Sequence, residues 1–582
     1  MALGKHIDIA GTAHRSHRTD KFPGSSCEDA VFDCKDAAAP ATSATMRTGA
    51  AEAQRAKRAH HAIGCAGAAL TLLMPLTAGR AAASFDTTTR FGRFSIGGYT
   101  EGYGIIRTDP DSQHQHPEGT LRLNLRGDPH RSARLFTDIR LVGGGPPEDP
   151  DGFGVYNISD TFQNDNPAVE IEEAWLDLYL GPVDLRLGKQ KFAWGKLDTF
   201  QPTDVLNPQS YRDPFVVTGV DAMVGIPAAS GSYLVPDAWR GPFEELRLTL
   251  VWVPVPVATR FPLEEERWFP PATSVQDVNT FEVDIGNFGS IPVRSTNTLV
   301  TQNRGPSQQL DEGAVGVRIA GLYATADWSL YFYDGTETQP AFSLDTSVVR
   351  PDARRARRNG TPAPDLVPTD GPLRVRTDAT LLPRFERIRL FGGDVALTFD
   401  RLTARAEAAF VDDRPLPRSI EDLLAADNIT GALGTPAEVI AQGQRLQAGE
   451  RVPIDLGDLF VTRDTIEWGV GADYTYRGWM PLLQINQTVV LDNDTDLLLS
   501  NVDTQLLFVV RKSFFAERLA TEIAAVQGLA RGYTLGTARF TYAVTDNLRV
   551  RVGYLLIAGS RRTLIGQYHD NDETFFQIRY SY

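Results

Sequence analysis

Hydrophobic and polar residues alternate one by one along most of the chain after residue 84. In the stretch 120–126, TLRLNLR, leucines occupy every second position and Arg122, Asn124 and Arg126 occupy the positions between them. Successive side chains of a β-strand point to opposite faces, so this period of two predicts a strand with one apolar and one polar face. The same pattern returns up to the last residue.

The strand pattern is repeated about eighteen times, and the connections between the stretches are sorted by length. The predicted strands start near residues 95, 119, 133, 170, 183, 217, 244, 313, 326, 387, 402, 464, 481, 503, 518, 533, 547 and 573. Connections after even-numbered strands are mostly tight, as at 181–182, whereas those after odd-numbered strands are mostly long, as at 254–312. Short turns at one rim, long loops at the other and an even strand count are typical of outer-membrane barrels. A soluble all-β sandwich would alternate as well but gives no reason for this sorting. We therefore predict an all-β fold, a transmembrane antiparallel β-barrel of about 18 strands (16–18) over residues 84–582.

The polar faces of the predicted strands carry charges of both signs. A barrel of 16–18 strands encloses a water-filled lumen, and mixed charges are typical of such an interior. A lattice of arginines and carboxylates with a plugged centre stays open as an alternative. The candidate lumen residues are Arg122, Arg126, Arg134, Asp138, Arg140, Glu173, Asp177 and Arg186.

The last predicted strand, FFQIRYSY, ends the chain with an apolar, aromatic face. In a soluble domain this would be an exposed edge that invites aggregation. In a closed barrel the face meets lipid and the edge pairs with the first strand. The stretch resembles the C-terminal signal by which outer-membrane barrels are recognised for assembly, although Gln577 stands where a glycine is often found. The candidate signal residues are Phe576, Ile578, Tyr580 and Tyr582.

The region before the first strand has the layout of an export signal. Lys57 and Arg58 precede an apolar stretch near 62–76, and small residues follow up to Ala83. This order predicts a signal peptide over 46–83, cleaved after Ala83, and hence a protein of the Gram-negative cell outer membrane. Residues 1–45 fit no export signal, so we interpret them as a disordered, mis-called extension with the true start at Met46. All three cysteines lie before residue 66, which suits a mature protein in an oxidising compartment.

Charge narrows the range of partners. The formal net charge of −15 argues against a nucleic-acid partner. The basic run 354–358, RRARR, lies in a predicted outer loop, where guanidinium groups suit the phosphates of lipopolysaccharide as well as they suit free solvent. The expected partners are outer-membrane lipid, lipopolysaccharide, the barrel assembly machinery and small solutes. The oligomeric state does not follow from the sequence.

Motifs for catalysis or metal binding give no candidate site. The chain has no G-x-S-x-G, H-E-x-x-H or P-loop motif. His114 and His116 could share a metal, but two ligands without a cysteine nearby favour a solvated loop. The stretch 491–496, LDNDTD, lacks the glycine and the closing glutamate of a calcium loop. We therefore expect no enzyme, no catalytic residue, no cofactor and no metal site.

The most distinctive stretch is 186–215, RLGKQKFAWGKLDTFQPTDVLNPQSYRDPF. It resembles the G-[KR]-Q-x-x-x-W-G pattern, followed by P-x-D and N-P, of a family of proteobacterial outer-membrane porin-like β-barrels akin to the alginate-export-like porins. The resemblance implies an outer-membrane location and a porin-like architecture, and it implies no particular ligand. The motif residues are Gly188, Lys189, Gln190, Trp194, Gly195, Pro202, Asp204, Asn207 and Pro208.

The sequence therefore favours a passive channel for small solutes. Three prolines stiffen the stretch 195–216, which makes it the candidate for a constriction that folds into the lumen. Its candidate charged residues are Lys196, Asp198, Asp204 and Arg212. Two alternatives stay open: a dedicated uptake or export barrel for a hydrophobic or polymeric ligand, and a structural barrel with a blocked lumen.

Overall fold

The described part of the chain is almost entirely strand. The computed structural model describes residues 85–89, 92–107, 118–144, 168–211, 221–262, 268, 278–284, 290–301, 305–306, 310–351, 373–418, 435, 438, 441–442, 444–445, 450–454, 457–492, 497–561, 563 and 565–582. In chain order the first strands are β1 (Phe85–Thr89), β2 (Gly92–Arg107), β3 (Glu118–His130), β4 (Ala133–Gly144), β5 (Ala168–Leu180), β6 (Val183–Gln190), β7 (Ile226–Leu234), β8 (Glu245–Val253), β9 (Val278–Asp284), β10 (Ser290–Thr301), β11 (Ala314–Tyr323) and β12 (Ala326–Thr336). They are followed by β13 (Ala341–Pro351), β14 (Leu373–Arg384), β15 (Arg387–Phe399), β16 (Leu402–Pro417), β17 (Val452–Ile454), β18 (Phe460–Tyr474), β19 (Trp479–Val490), β20 (Val502–Phe514), β21 (Leu519–Gly528), β22 (Tyr533–Ala543), β23 (Leu548–Gly559) and β24 (Glu573–Ser581). Short 3-10 turns cover Leu310–Glu312 and Gly566–Tyr568, and no helix of the described residues is long and apolar enough to cross a membrane.

Eighteen of these strands close into one antiparallel barrel. The strands β2–β8, β11, β12, β15, β16 and β18–β24 pair in chain order, and β24 pairs back with β2. At the closure, Glu101 lies opposite Arg579. The predicted fold class, a closed antiparallel barrel of about 18 strands, is therefore confirmed.

The two faces of the wall differ as the period of two requires. Leu330, Phe391 and Leu483 point outward and expose more than half of their side-chain surface. Their immediate neighbours Tyr331 and Leu390 point inward and are buried. An outer surface of large exposed apolar groups suits contact with lipid.

The sixth barrel strand begins later than predicted. The alternation suggested a start near 217, but β7 begins at Ile226, and residues 212–220 lie outside the described part of the chain. The preceding residue Val224 donates its backbone N–H to Pro208 at 2.8 Å and accepts from the Asn207 amide, also at 2.8 Å. These backbone groups bond to the 191–211 connection instead of the barrel ladder, so the local pattern alone misplaced the strand start.

Several long connections hold strands that the sequence did not predict. A second sheet has the order β17-β13-β14-β10-β9, and β10 and β14 pair in parallel. Its strands come from the connections after β8, β12 and β16, which had been read as loops. Because the partners lie far apart in the sequence, no local turn signal marks these pairings.

Candidate functional site

The connection between β6 and β7 folds across the inside of the barrel. Residues 191–211, which we call the inserted segment, contact inward-facing side chains of β12, β15, β16, β19 and β20. Those strands lie on the far side of the barrel from β6 in the strand order. Residues 212–216 of the predicted constriction, with Arg212, lie outside the described residues.

Glu407 of β16 anchors the middle of the inserted segment. Its carboxylate accepts hydrogen bonds from the backbone N–H of Lys196 at 2.9 Å and of Leu197 at 3.3 Å. It also accepts the backbone N–H of Thr203 at 2.8 Å and the Thr203 hydroxyl at 2.7 Å. A carboxylate that accepts several hydrogen bonds is satisfied although it is buried, so this contact fixes two turns of the segment to one strand.

Gly195 leaves the space that Glu407 needs. The residue has a φ of +83°, a conformation that side chains rarely adopt. A Cβ atom there would lie 2.6–2.9 Å from the Glu407 carboxylate. The glycine of the sequence motif is therefore explained by backbone conformation and by close approach together.

Lys196 points into a polar cluster on β12 and β15. Its ammonium group donates to the Asp394 carboxylate and lies 3.2 Å from Asp327 and 3.3 Å from the Ser329 hydroxyl. The Tyr331 hydroxyl donates to Asp394 and accepts the Gly195 backbone N–H at 3.2 Å. The positive charge of Lys196 is thus neutralised at the barrel wall.

Asp198 lies beside two arginines on the opposite side of the segment. Its backbone N–H donates to Gln484 of β19 at 3.1 Å. Its carboxylate lies 3.4 Å from Arg405 of β16 and 3.9 Å from Arg511 of β20. Arg405 also donates to Asp473 of β18, so charges of both signs surround this point of the interior.

Apolar contacts seat the inserted segment between the polar anchors. The ring of Trp194 lies 5.0 Å from that of Tyr331 and packs in a buried cluster with Leu206. Its indole fits against Gly316 of β11, where a Cβ would lie 2.7 Å from the ring. Leu197 fits in the same way against Gly469 of β18, at 2.6 Å. Small residues on the inner wall therefore make room for large ones of the segment.

A second chain segment pairs with the end of the inserted one. Arg260, from the connection after β8, donates its backbone N–H to Gln209 at 2.9 Å and accepts that of Tyr211 at 2.8 Å. Its guanidinium group donates to Glu170 of β5, with one contact of 2.9 Å. Burial, with the nearby Glu337 carboxylate, raises the pKa of Tyr211 to about 12.

The predicted lumen residues of the first strands form ion pairs along one wall. Arg122 contacts Asp138 at 2.6 Å, Arg186 contacts Asp177 at 2.6 Å, and Arg140 contacts Glu170 at 3.1 Å. Three further predicted residues make other contacts: Arg134 pairs with Asp128 at 2.9 Å, Arg126 lies 5.7 Å from the Phe136 ring, and Glu173 accepts the Lys191 backbone N–H at 3.2 Å.

Asp221, just before β7, joins the same wall. Its carboxylate lies 3.1 Å from Arg122. Burial alone would raise its pKa, but the positive charges of Arg122 and Lys191 outweigh this and lower it. Sequence reasoning did not identify Asp221, because its partner lies 99 residues away.

The remaining motif residues hold the start and end of the inserted segment. Gly188 has a φ of +128°, and a Cβ there would lie 2.2 Å from the Ala174 carbonyl oxygen. The other members contact nearby backbone or are buried: Gln190 donates to Ala228 at 2.9 Å, Asn207 accepts the Phe192 N–H at 2.6 Å, Asp204 accepts the Trp194 N–H at 3.4 Å, Pro202 and Pro208 are buried, and Lys189 lies opposite Pro227.

The final strand β24 has the orientation that its alternation suggested. Phe576 is exposed on the outer face, whereas Arg579 donates to Glu101 inside the barrel. The backbone of Tyr582 exchanges hydrogen bonds of 3.0 and 3.2 Å with Gly98. β1 pairs with the same edge of β2 and continues it beyond the chain end.

Several other sequence features do not enter this arrangement. His114, His116, the basic run 354–358 and residues 493–496 lie outside the described residues. A group that sequence reasoning missed is formed by Asp412, Asp413 and Asp464, whose carboxylate oxygens lie within 4.8 Å of one another. Exposed acidic groups are common without an ion, so we assign no metal site to it.

Solved structures give matches of low similarity. OccAB1 of Acinetobacter baumannii is 7% identical with a TM-score of 0.41, and the match covers 84% of this chain and 95% of that one. OpdK of Pseudomonas aeruginosa, in a structure with vanillate, is 9% identical with a TM-score of 0.40, and the match covers 84% and 98%. No curated protein matches the chain.

A family model gives the broader result. The family is described as "Protein of unknown function (DUF1302)", and its model matches residues 132–582, which include the inserted segment and the closing strand. The relation to alginate-export-like porins stays a prediction. Since the match covers well over half of the chain, this protein belongs to the DUF1302 family.

Proposed function

We propose that this protein is a channel in the outer membrane of a Gram-negative bacterium, through which small solutes diffuse passively. The observation that carries the proposal is the inserted segment, bound by Glu407 across the interior of an eighteen-strand barrel. A barrel of this size is too wide for its own side chains to fill. A stiff segment held inside it acts as a constriction, here residues 195–216.

The inner charges favour small polar solutes. Ion pairs such as Arg122–Asp138 and Arg405–Asp473 line the described interior, and a solute passes them without entering an apolar phase. The outer face binds outer-membrane lipid and lipopolysaccharide, and the end residues Phe576 to Tyr582 contact the barrel assembly machinery. In this proposal the protein is not an enzyme and needs no cofactor.

A barrel for hydrophobic ligands would need a continuous apolar path. The inner wall does carry two apolar clusters, one around Trp194 and one around Leu507. Both are buried, and Trp268 from the connection after β8 packs onto the second one. Because these clusters hold inserted chain, they support the polar channel over the hydrophobic one.

Single-channel recording in planar bilayers tests the proposal. We expect the purified protein to give discrete, ohmic conductance steps in potassium chloride. A barrel that inserts, resists detergent unfolding until it is boiled, and carries no current would instead be the structural barrel with a blocked lumen.

A further inference from the structure

A cavity of about 220 Å³ lies against the inserted segment on the side of the long loops. Its wall includes Thr199 and Asp204 of the segment, Glu337 just after β12, and inward residues of β16 and β18–β20. At roughly 30 Å³ per water molecule, the space holds about seven waters or one solute of monosaccharide size.

Polar atoms around this cavity lack partners within the protein. They are the Thr199 hydroxyl, one carboxylate oxygen of Glu337, one guanidinium nitrogen of Arg414 and the Asn486 amide nitrogen. Thr199, Glu337 and Asn486 are all more than nine-tenths buried. Buried polar groups without a hydrogen bond are unfavourable, and elsewhere in this interior such groups are paired. The wall therefore offers both donors and acceptors to a polar occupant.

The wall also has a surplus of negative charge. Its carboxylates belong to Asp204, Glu337, Glu467 and Asp503, and its guanidinium belongs to Arg414. Arg414 lies 3.1 Å from Glu467 and neutralises it. Three carboxylates remain in excess, which favours a cation in the cavity and disfavours an anion.

We propose that this cavity binds small polyhydroxylated amines, in which a protonated amine faces Glu337 and hydroxyl groups bond to Thr199 and Asn486. The inference rests on the proposed channel function and names the solute class that the channel prefers. The cavity touches Phe200–Pro202 of the inserted segment, so a bound solute lies at the entrance of the constriction. Binding there raises the local concentration of solutes that pass next.

Three linear six-carbon polyols that differ at one end provide the probe set. Glucamine carries a cation at neutral pH, sorbitol is neutral and gluconate is an anion. We expect isothermal titration of the detergent-solubilised full protein at pH 7 to give at least tenfold tighter binding of glucamine than of sorbitol, and no binding of gluconate. Equal affinity for all three, or preference for gluconate, would overturn the assignment.

Two variants connect the binding to the cavity. Glu337→Gln keeps the shape and removes one charge, so it should lower glucamine affinity about tenfold and leave sorbitol unchanged. Asn486→Ala should weaken glucamine and sorbitol alike. The control Glu245→Gln removes an exposed charge at the other rim and should change neither. Glucamine affinity that is the same in Glu337→Gln and wild type contradicts the proposal, as does a site that takes calcium and rejects glucamine.

Titration in detergent separates this inference from the channel function. Conductance in potassium chloride without any glucamine binding refutes the solute class alone. Glucamine binding by a barrel that conducts no ions refutes the channel function on which the inference rests.

Discussion

The carboxylate of Glu407 accepts both the backbone N–H and the hydroxyl of Thr203, at 2.8 and 2.7 Å, although 204 residues separate them in the chain. One residue belongs to the barrel wall and the other to the inserted segment. The pair therefore joins the two parts of the molecule on which a channel function depends.

Removing this acceptor should release the segment. In Glu407→Ala the N–H groups of Lys196, Leu197 and Thr203 lose their partner in a buried place, at a cost of about 3 kcal/mol or more. We expect a lower midpoint in urea unfolding and larger, noisier single-channel currents than in wild type. Glu407→Gln keeps one acceptor oxygen and should fall between the two. A variant with wild-type stability and current would show that Glu407 does not hold the segment.

The barrel was predictable from the sequence because its signal is local. Alternation within each strand and the sorted connection lengths depend only on neighbouring residues, and they gave eighteen strands and the closure of β2 with β24. The pairing of β10 with β14 could not be predicted in this way, since strands from two separate connections form it. The start of β7 failed for the same reason, because Val224 bonds to Pro208.

The inserted segment shows a similar division. Its glycines and prolines marked 195–216 as unusual, and alternation placed Glu407 on the inner face. Nothing in the sequence indicated that Gly195 approaches Glu407, or that Arg260 pairs with Gln209. Such contacts depend on the three-dimensional path of a connection, which periodicity does not describe.

The space at Gly316 should be essential for Trp194. A Cβ atom at this position would lie 2.7 Å from the indole, so Gly316→Ala should destabilise the barrel by about 1–3 kcal/mol through overpacking. Trp194→Leu removes the clash and should make Gly316→Ala nearly neutral in that background. Urea unfolding of the single and double variants measures this coupling. Additive effects of the two changes would argue against the contact.

The lipid-facing and inward positions of the last strand should respond differently to a negative charge. Ile578→Asp places a carboxylate on the outer face, at a cost that reaches about 2 kcal/mol near the membrane centre, and should block assembly. Arg579→Asp changes an inward residue beside Glu101 and should leave insertion intact. The boiled and unboiled mobility of each variant on gels measures assembly. Normal assembly of Ile578→Asp together with loss for Arg579→Asp would reverse the assigned faces.

Stability in alkaline solution should depend on Tyr211. Its pKa is raised to about 12 in the folded protein, whereas a tyrosine in the unfolded chain titrates near 10. The neutral phenol therefore stabilises the fold fully below pH 10, and this contribution is lost as the pH rises from about 10 to about 12. Urea midpoints of Tyr211→Phe should fall less steeply than those of wild type over that interval. Parallel pH profiles would mean that the phenol is not buried.

The charge of Asp198 should control which ions pass the inserted segment. Its carboxylate lies between Arg405 and Arg511, so Asp198→Lys leaves a cluster of three cations in a narrow, weakly screened passage. We expect the reversal potential in a potassium chloride gradient to shift toward anion preference. Asp184→Lys, the same change at a partly exposed site beside Arg247, serves as the control and should shift it much less. Reversal at Asp204 should act in the same direction as at Asp198. Deleting residues 199–210 should remove most of the constriction and raise conductance several-fold without preventing assembly. If the deletion variant folds and conducts like wild type, and Asp198→Lys keeps wild-type selectivity, then the ions pass by another route and the inserted segment is not the constriction.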